Sequence, residues 1–235
     1  KWRYARAVTW TNKGELDIAI ADYDELIRLR ESPAFYHVRG ICYHVKGDYD
    51  RAIEDFNQAI RIDPGAARYY NSRSQSWYEK GEYLRAQGDG DNAIRLKPSL
   101  ASAYANRGRA LEAQEKFDDA ARDYAKSIDA DPNYALAYIY YAWLMATSDD
   151  EALRDSEKAV KYAERACKLT GWEDANALGT LAAACADAGD FEAAQRWETK
   201  AQGLYPAAAK ERWAFLLELY QQGKPYRRGM ERPAS

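Results

Sequence analysis

Metal or acid–base chemistry in this chain would have to come from its histidines, cysteines and grouped carboxylates. There are two histidines, His37 and His44. Seven positions apart on a helix, they share a face two turns apart, too far to chelate one metal ion without further ligands. Lining or packing is the reading that remains. Gly88-Asp-Gly-Asp91 begins like a calcium loop, but such a loop needs further oxygens and a late Glu, and Asn92-Ala-Ile-Arg95 supplies neither. Cys42, Cys167 and Cys185 show no Cys-x-x-Cys spacing and are odd in number, which argues against a disulfide framework or a zinc site. They read as small buried hydrophobes. No Gly-x-Ser-x-Gly, no phosphate-cradling Gly-rich loop with Lys-Ser/Thr and no His-Glu-x-x-His occurs, and the carboxylates read as spread over exposed helix faces. The expectation is therefore no catalytic residue, no metal and no cofactor.

What the chain does carry is a period. Pro64, Pro98 and Pro132 fall 34 residues apart, as do Tyr36, Tyr70, Tyr104 and Tyr138, Gly47 and Gly81, and Ala52, Ala86 and Ala120. A fixed period of this size marks a repeat architecture. Small residues (Gly40, Ser74, Gly108; Ala52, Ala86, Ala120) let helix backbones approach, and aromatics (Tyr43, Trp77, Tyr49, Tyr83, Phe56, Phe117) fill the space beside them. Proline after each second helix cannot continue it and turns the chain into the next unit. One pair of helices cannot bury its apolar face alone, but stacked neighbours can.

These residues resemble the tetratricopeptide repeat family, whose 34-residue helix–turn–helix carries small, aromatic and proline positions at the same offsets. The resemblance implies an all-α fold, an α-solenoid wound as a right-handed superhelix whose first helices line a concave groove. It covers most of the chain, in units of about 1–32, 33–66, 67–100, 101–134, 135–174 and 175–208. A capping helix is expected over 209–222, with Trp213, Leu216, Leu217 and Tyr220 on one face. From Gly223 the chain is rich in Gly, Pro and Arg, and a flexible tail is expected over 223–235. The fifth unit departs from the frame. Its Ala142-Trp-Leu-Met-Ala-Thr147 is similar to bacterial arrays, and the polar insertion Ser148 to Asp155 reads as a surface excursion or equally as a functional edge. Gly90 stands where neighbouring units have Phe56 and Tyr124, and with Gly88 it predicts a locally softer second helix in unit three.

Function then has to come from the first-helix side chains not needed for packing. In the middle of the array these are Arg68, Asn71, Gln75, Asn106 and Arg109, which can grip a peptide backbone or carboxylate. On the flanks, Ile41 and Val38 on one side and Tyr140 and Trp143 on the other can take apolar side chains, and His37 lines the same groove. Units three and four resemble co-chaperone repeats that hold acidic C-terminal tails, through Tyr70-Asn-Ser-Arg-Ser74, Gly81-Glu-Tyr83, Leu96-Lys-Pro98 and Ala110-Leu111. Those repeats clamp a terminal carboxylate with Lys and Asn, then Asn, then Lys plus Arg. The frames here offer His37, Ile41, Ser72, Ser102 and Asn106, or Asn71, Gln75, Asn106, Leu136 and Tyr140, so the clamp's cations are absent.

Net charge is −3, from 34 Lys and Arg against 37 Asp and Glu, so no basic excess recommends nucleic acid or an anionic membrane. The uncharged run Asn133 to Ser148 is too short to span a bilayer. The opening Lys-Trp-Arg-Tyr, without Met or a signal peptide's apolar core, leaves an excised fragment as one reading of the sequence. Unpaired cysteines favour the cytoplasm, unless truncation has removed a targeting signal from the N-terminus. The reading is a non-catalytic scaffold for a peptide or protein partner, monomeric or weakly dimeric. The alternatives are a self-associating spacer and a regulatory repeat region cut from a larger enzyme.

Overall fold

The computed structural model describes residues 2–230, which form thirteen α-helices and one 3-10 turn, with no strand among the described residues. Where the sequence reading draws one array over 1–222, the chain divides into two compact units, one ending at Glu115 and the other starting at Lys116.

The first unit holds α1 (Trp2–Lys13), α2 (Leu16–Leu29), α3 (Pro33–Val45), α4 (Tyr49–Ile62), α5 (Ala67–Glu79), α6 (Tyr83–Leu96) and α7 (Ala101–Glu112), each packed on the next. The turns inside the pairs share one device. At the end of α3, Gly47 has φ +79°, its N–H donates to the His44 carbonyl, and the Asp48 N–H reaches back to Tyr43. Gly14 and Gly81 repeat this pattern. It satisfies the helix's last carbonyls, and the left-handed residue is one that glycine adopts without a Cβ clash. At the same place after α7 stands Glu115, with φ +61°. The pairs close on small residues: Ala19, Ala52 and Ala86 are fully buried, and a Cβ on Gly40 would lie 2.7 Å from the Phe56 ring. Gly90 has the same duty, since a Cβ there would stand 2.8 Å from Arg107 Cβ of α7, whereas one on Gly88 would meet nothing within 4 Å. At the place held by Phe56 and Tyr124 in neighbouring units, Gly90 thus lies against a neighbouring helix.

The second unit holds α8 (Phe117–Ala130), α9 (Ala135–Thr147), a 3-10 turn (Glu151–Leu153), α10 (Ser156–Leu169), α11 (Ala175–Asp187), α12 (Phe191–Leu204) and α13 (Ala207–Gln221). Its core is one cluster in which Leu178, Leu181, Leu216 and Tyr220 are almost wholly enclosed. Burial of this apolar area is what holds α13 down: Leu216 and Tyr220 face in, while Lys210, Glu211, Arg212 and Glu218 are exposed. Glu198 is fully buried beside them. Its Oε1 accepts from Gln202 at 2.7 Å, its Oε2 has no partner, and burial pushes the carboxyl up to about 7. The insertion is ordered: the Asp150 side chain caps the 3-10 turn, Arg154 donates to the Ser148 and Asp149 carbonyls, and Asp155 caps α10 through the Lys158 N–H.

The three cysteines are free and buried, and burial raises the Cys185 thiol to about 11 and that of Cys167 to about 12. The tail expected to fray makes specific contacts over Gly223–Met230, described below; the remainder of that expected tail, 231–235, lies outside the described residues.

Candidate functional site

Two networks fix the first helices of the first unit. The first corrects the expectation that carboxylates sit on exposed faces. Asp22, Asp55 and Asp89 are buried, and each takes an arginine 16 residues earlier on its partner helix. Arg39 forks onto Asp55 (Nε to Oδ2 2.8 Å, Nη2 to Oδ1 2.6 Å), and Arg73 onto Asp89 (2.7 and 2.6 Å). Arg6 makes the same fork onto Asp22. Each later arginine also reaches the preceding second helix, Arg39 to Asp24, Arg73 to Asn57 and Arg107 to Asp91. The tyrosines of the 34-residue period cover these guanidiniums, with Tyr36, Tyr70 and Tyr104 centred 5.6–5.9 Å from Arg39, Arg73 and Arg107. Two-toothed pairing with a second acceptor is how a buried guanidinium meets its hydrogen-bond demand.

The second network is a polar seam between first helices. His37 Nε2 shares a hydrogen bond with Ser72 Oγ (3.0 Å), and His44 Nδ1 shares one with Ser76 Oγ (2.9 Å). Asn71 donates to Ser102 Oγ (3.2 Å) and accepts from Asn106 (2.9 Å). Arg109 lies 3.9 Å over the Tyr78 ring and pairs with Glu79 at 3.3 Å. Burial, helped by the charge of Arg68, depresses His37 to about 4; burial also lowers His44. Both rings are therefore neutral at pH 7, and both join α3 to α5.

The seam overturns one expectation. The sequence reading leaves Asn71, Asn106 and Arg109 without a structural duty, yet Asn106 is 4% exposed and bonded to Asn71, and Arg109 is stacked and paired. Arg68 is exposed, with one contact to its neighbour Tyr69 (Nη2 to the hydroxyl, 2.6 Å). Gln75 is half-buried on the same helix, and Ile41 is half-buried on α3.

In the second unit, Tyr140 packs against Tyr124 (ring centroids 5.9 Å apart). Trp143 does not lie open for an incoming side chain. Trp213 of α13 meets it edge-on at 5.6 Å, and Tyr226 lies 5.8 Å away. Beside them the insertion, the start of α10, Asp187 and Arg227 line a polar cleft of about 670 Å³.

With this geometry in view, the repeat frame can be matched to known proteins. The tetratricopeptide repeat family models match residues 33–65 and 101–134, the α3–α4 pair and the span of α7 and α8. These two spans are tetratricopeptide repeats. Solved structures share its fold. PilW, described as a widely conserved type IV pilus biogenesis factor, aligns at 18% identity and TM-score 0.73, over 91% of this chain and 96% of its own. TTC0263, a thermophilic repeat protein of Thermus thermophilus, aligns at 18% identity and TM-score 0.68, over 80% of this chain and 100% of its own. MamA aligns at 23% identity and TM-score 0.58, over 71% and 95%. No curated protein sequence matches the chain. In tetratricopeptide terms, α3, α5 and α7 are first helices, so the seam runs along the face they share, and the Arg–Asp forks tie each of α3 and α5 to its own second helix. No helix among the described residues is long and apolar enough to cross a membrane.

Proposed function

We propose that the chain is a non-catalytic interaction scaffold that takes a peptide or protein segment along its first-helix faces. Tetratricopeptide repeats generally serve as interaction modules, and the fold supports that class. The observation that carries the reading is the polar seam of α3, α5 and α7. It orders a row of donors and leaves Arg68 with most of its five N–H groups unspent, on the same helix as a Gln75 amide that bonds to no other side chain among the described residues. In this reading Arg68 and Gln75 meet the partner's carbonyls or carboxylates and Arg109 lends charge. His37, Asn71 and Asn106 hold the face in shape and contact the partner where they surface, while Ile41 takes an apolar side chain. In the second unit Tyr140 supplies aromatic contact, and Trp143 stays covered by Trp213 and Tyr226. The absent cationic clamp directs the face away from terminal carboxylates of chaperone tails and toward internal segments.

The test is a peptide-display selection against the whole chain, followed by affinities for Arg68→Glu, Gln75→Ala and a second-helix control, Glu54→Lys. Selected peptides should lose at least tenfold in affinity with Arg68→Glu and be unmoved by the control. The opposite ranking would contradict the assignment.

A further inference from the structure

The residues after α13 do not leave the second unit. Past Gly223, at φ +66°, the chain turns back across the ends of α9 and α11. The Tyr226 ring lies 5.8 Å from both Trp143 and Phe215. Arg227 inserts its guanidinium between Asp187 (Nη2 to Oδ1 2.6 Å) and the carbonyl of Ala146 (3.0 Å). The Arg228 N–H donates to the Thr147 carbonyl at 2.9 Å, and its guanidinium sits 5.3 Å over Phe117. The Gly229 N–H donates to Asp149 at 2.9 Å, and a Cβ on that glycine would stand 2.9 Å from the same carboxylate.

Each of these contacts discriminates. The last carbonyls of α9 have no acceptor duty within the helix, and the negative end of the helix dipole favours a cation there. The Asp187 side chain, only 5% exposed, needs a cationic partner once enclosed. The aromatic slot takes a flat ring, and the Asp149 carboxylate takes the Gly229 N–H. Together they read an aromatic–Arg–Arg–Gly segment by ring, charge and backbone. The segment that supplies it has no secondary structure of its own and spans only a few residues, so it is held by this surface alone.

We propose that Trp143, the 146–149 stretch and Asp187 form a peptide-reading site for an aromatic–Arg–Arg–Gly segment. Tyr226–Gly229 is its resident occupant in cis, and a partner segment of the same chemistry enters by displacing it. The proposal rests on the scaffold reading, but its test touches no first-unit side chain, so the two fail separately. A short tether gives the resident segment an effective concentration on the order of millimolar. A free peptide therefore competes poorly with the intact chain and well with one whose own segment is disabled.

The probe is a fluorescently labelled peptide of residues 224–230, Lys-Pro-Tyr-Arg-Arg-Gly-Met. By anisotropy it should bind the full chain carrying Tyr226→Ala with Arg227→Glu at least tenfold more tightly than wild type. Adding Asp187→Asn to that background should remove the gain, and a scrambled peptide should bind neither. Equal binding to wild type and variant, or binding indifferent to Asp187, would overturn the proposal. A second measurement does not depend on the variant's folding: excess unlabelled peptide added to wild type should speed hydrogen exchange at the Arg228 and Gly229 amides. Unchanged protection at saturating peptide would also overturn it.

Discussion

The two glycines of α6 offer a sharp test of how repeats are spaced, because they are two residues apart and should respond with opposite signs. At Gly88 an added Cβ meets nothing within 4 Å. Gly88→Ala therefore keeps only the helix-propensity gain, about 1 kcal/mol. At Gly90 the same Cβ would lie 2.8 Å from Arg107 Cβ, 3.1 Å from its Cγ and 3.4 Å from its Cα. Carbon contacts prefer about 3.5–4.0 Å, so α6 and α7 would have to separate by most of an ångström, and the rotamer of Arg107 cannot relieve a clash at its own Cβ. Overpacking of this kind costs about 1–3 kcal/mol. Set against the same propensity gain of about 1 kcal/mol, Gly90→Ala should be neutral to about 2 kcal/mol destabilising. The two variants should therefore differ by about 1–3 kcal/mol. Repeat arrays need not unfold in one step, so the assay is native-state hydrogen exchange of α6 amides rather than a single melting temperature. Gly88→Ala should slow exchange there about fivefold, and Gly90→Ala should leave it unchanged or speed it. Equal slowing by both would refute the packing role given to Gly90.

Three further outcomes follow from named groups. Asp55→Ala leaves the half-buried Arg39 guanidinium with Asp24 as its remaining carboxylate and should cost about 1.5–3 kcal/mol, measured by urea unfolding; a loss under about 1 kcal/mol would mean that the fork behaves as a solvated surface pair. Glu115 stands at a left-handed position that glycine fills in the preceding turns, so Glu115→Gly should stabilise by about 1 kcal/mol in the same assay, and destabilisation would deny the strain. Glu198 has a folded pKa raised from 4.5 to about 7, so its burial costs nothing while it is protonated below pH 4.5. The cost grows as pH rises and reaches about 3 kcal/mol above pH 7, so Glu198→Gln should raise the melting temperature at pH 8 and not at pH 4. An equal gain at both pH values would show that the carboxyl titrates normally.

The helix pairs were legible because small, aromatic and proline residues repeat at one period and because glycine marks the left-handed turns. The Arg–Asp forks were equally periodic, Arg6, Arg39 and Arg73 with Asp22, Asp55 and Asp89, each 16 residues apart. They were missed because a charged residue on an amphipathic helix is read as solvated unless its partner is sought at the same period. The seam is a different matter. Whether Asn106 faces a ligand or Asn71 depends on how close and at what angle two first helices lie, and one helix's pattern does not encode that. The packing role of Gly90 is hidden for the same reason, since its neighbour Arg107 is on another helix. The segment after α13 has the composition of a loose end, and only the placement of Asp187 and the α9 carbonyls, 40 and about 80 residues away, gives Arg227 somewhere to go.

The central claim is that partners lie on the first-helix face, and site-specific photo-crosslinking tests it most directly. A photoreactive residue at position 75, on α5, should attach to a display-selected peptide, while the same residue at position 54, on the exposed side of α4, should not. Crosslinking at position 54 with none at position 75 would contradict the account.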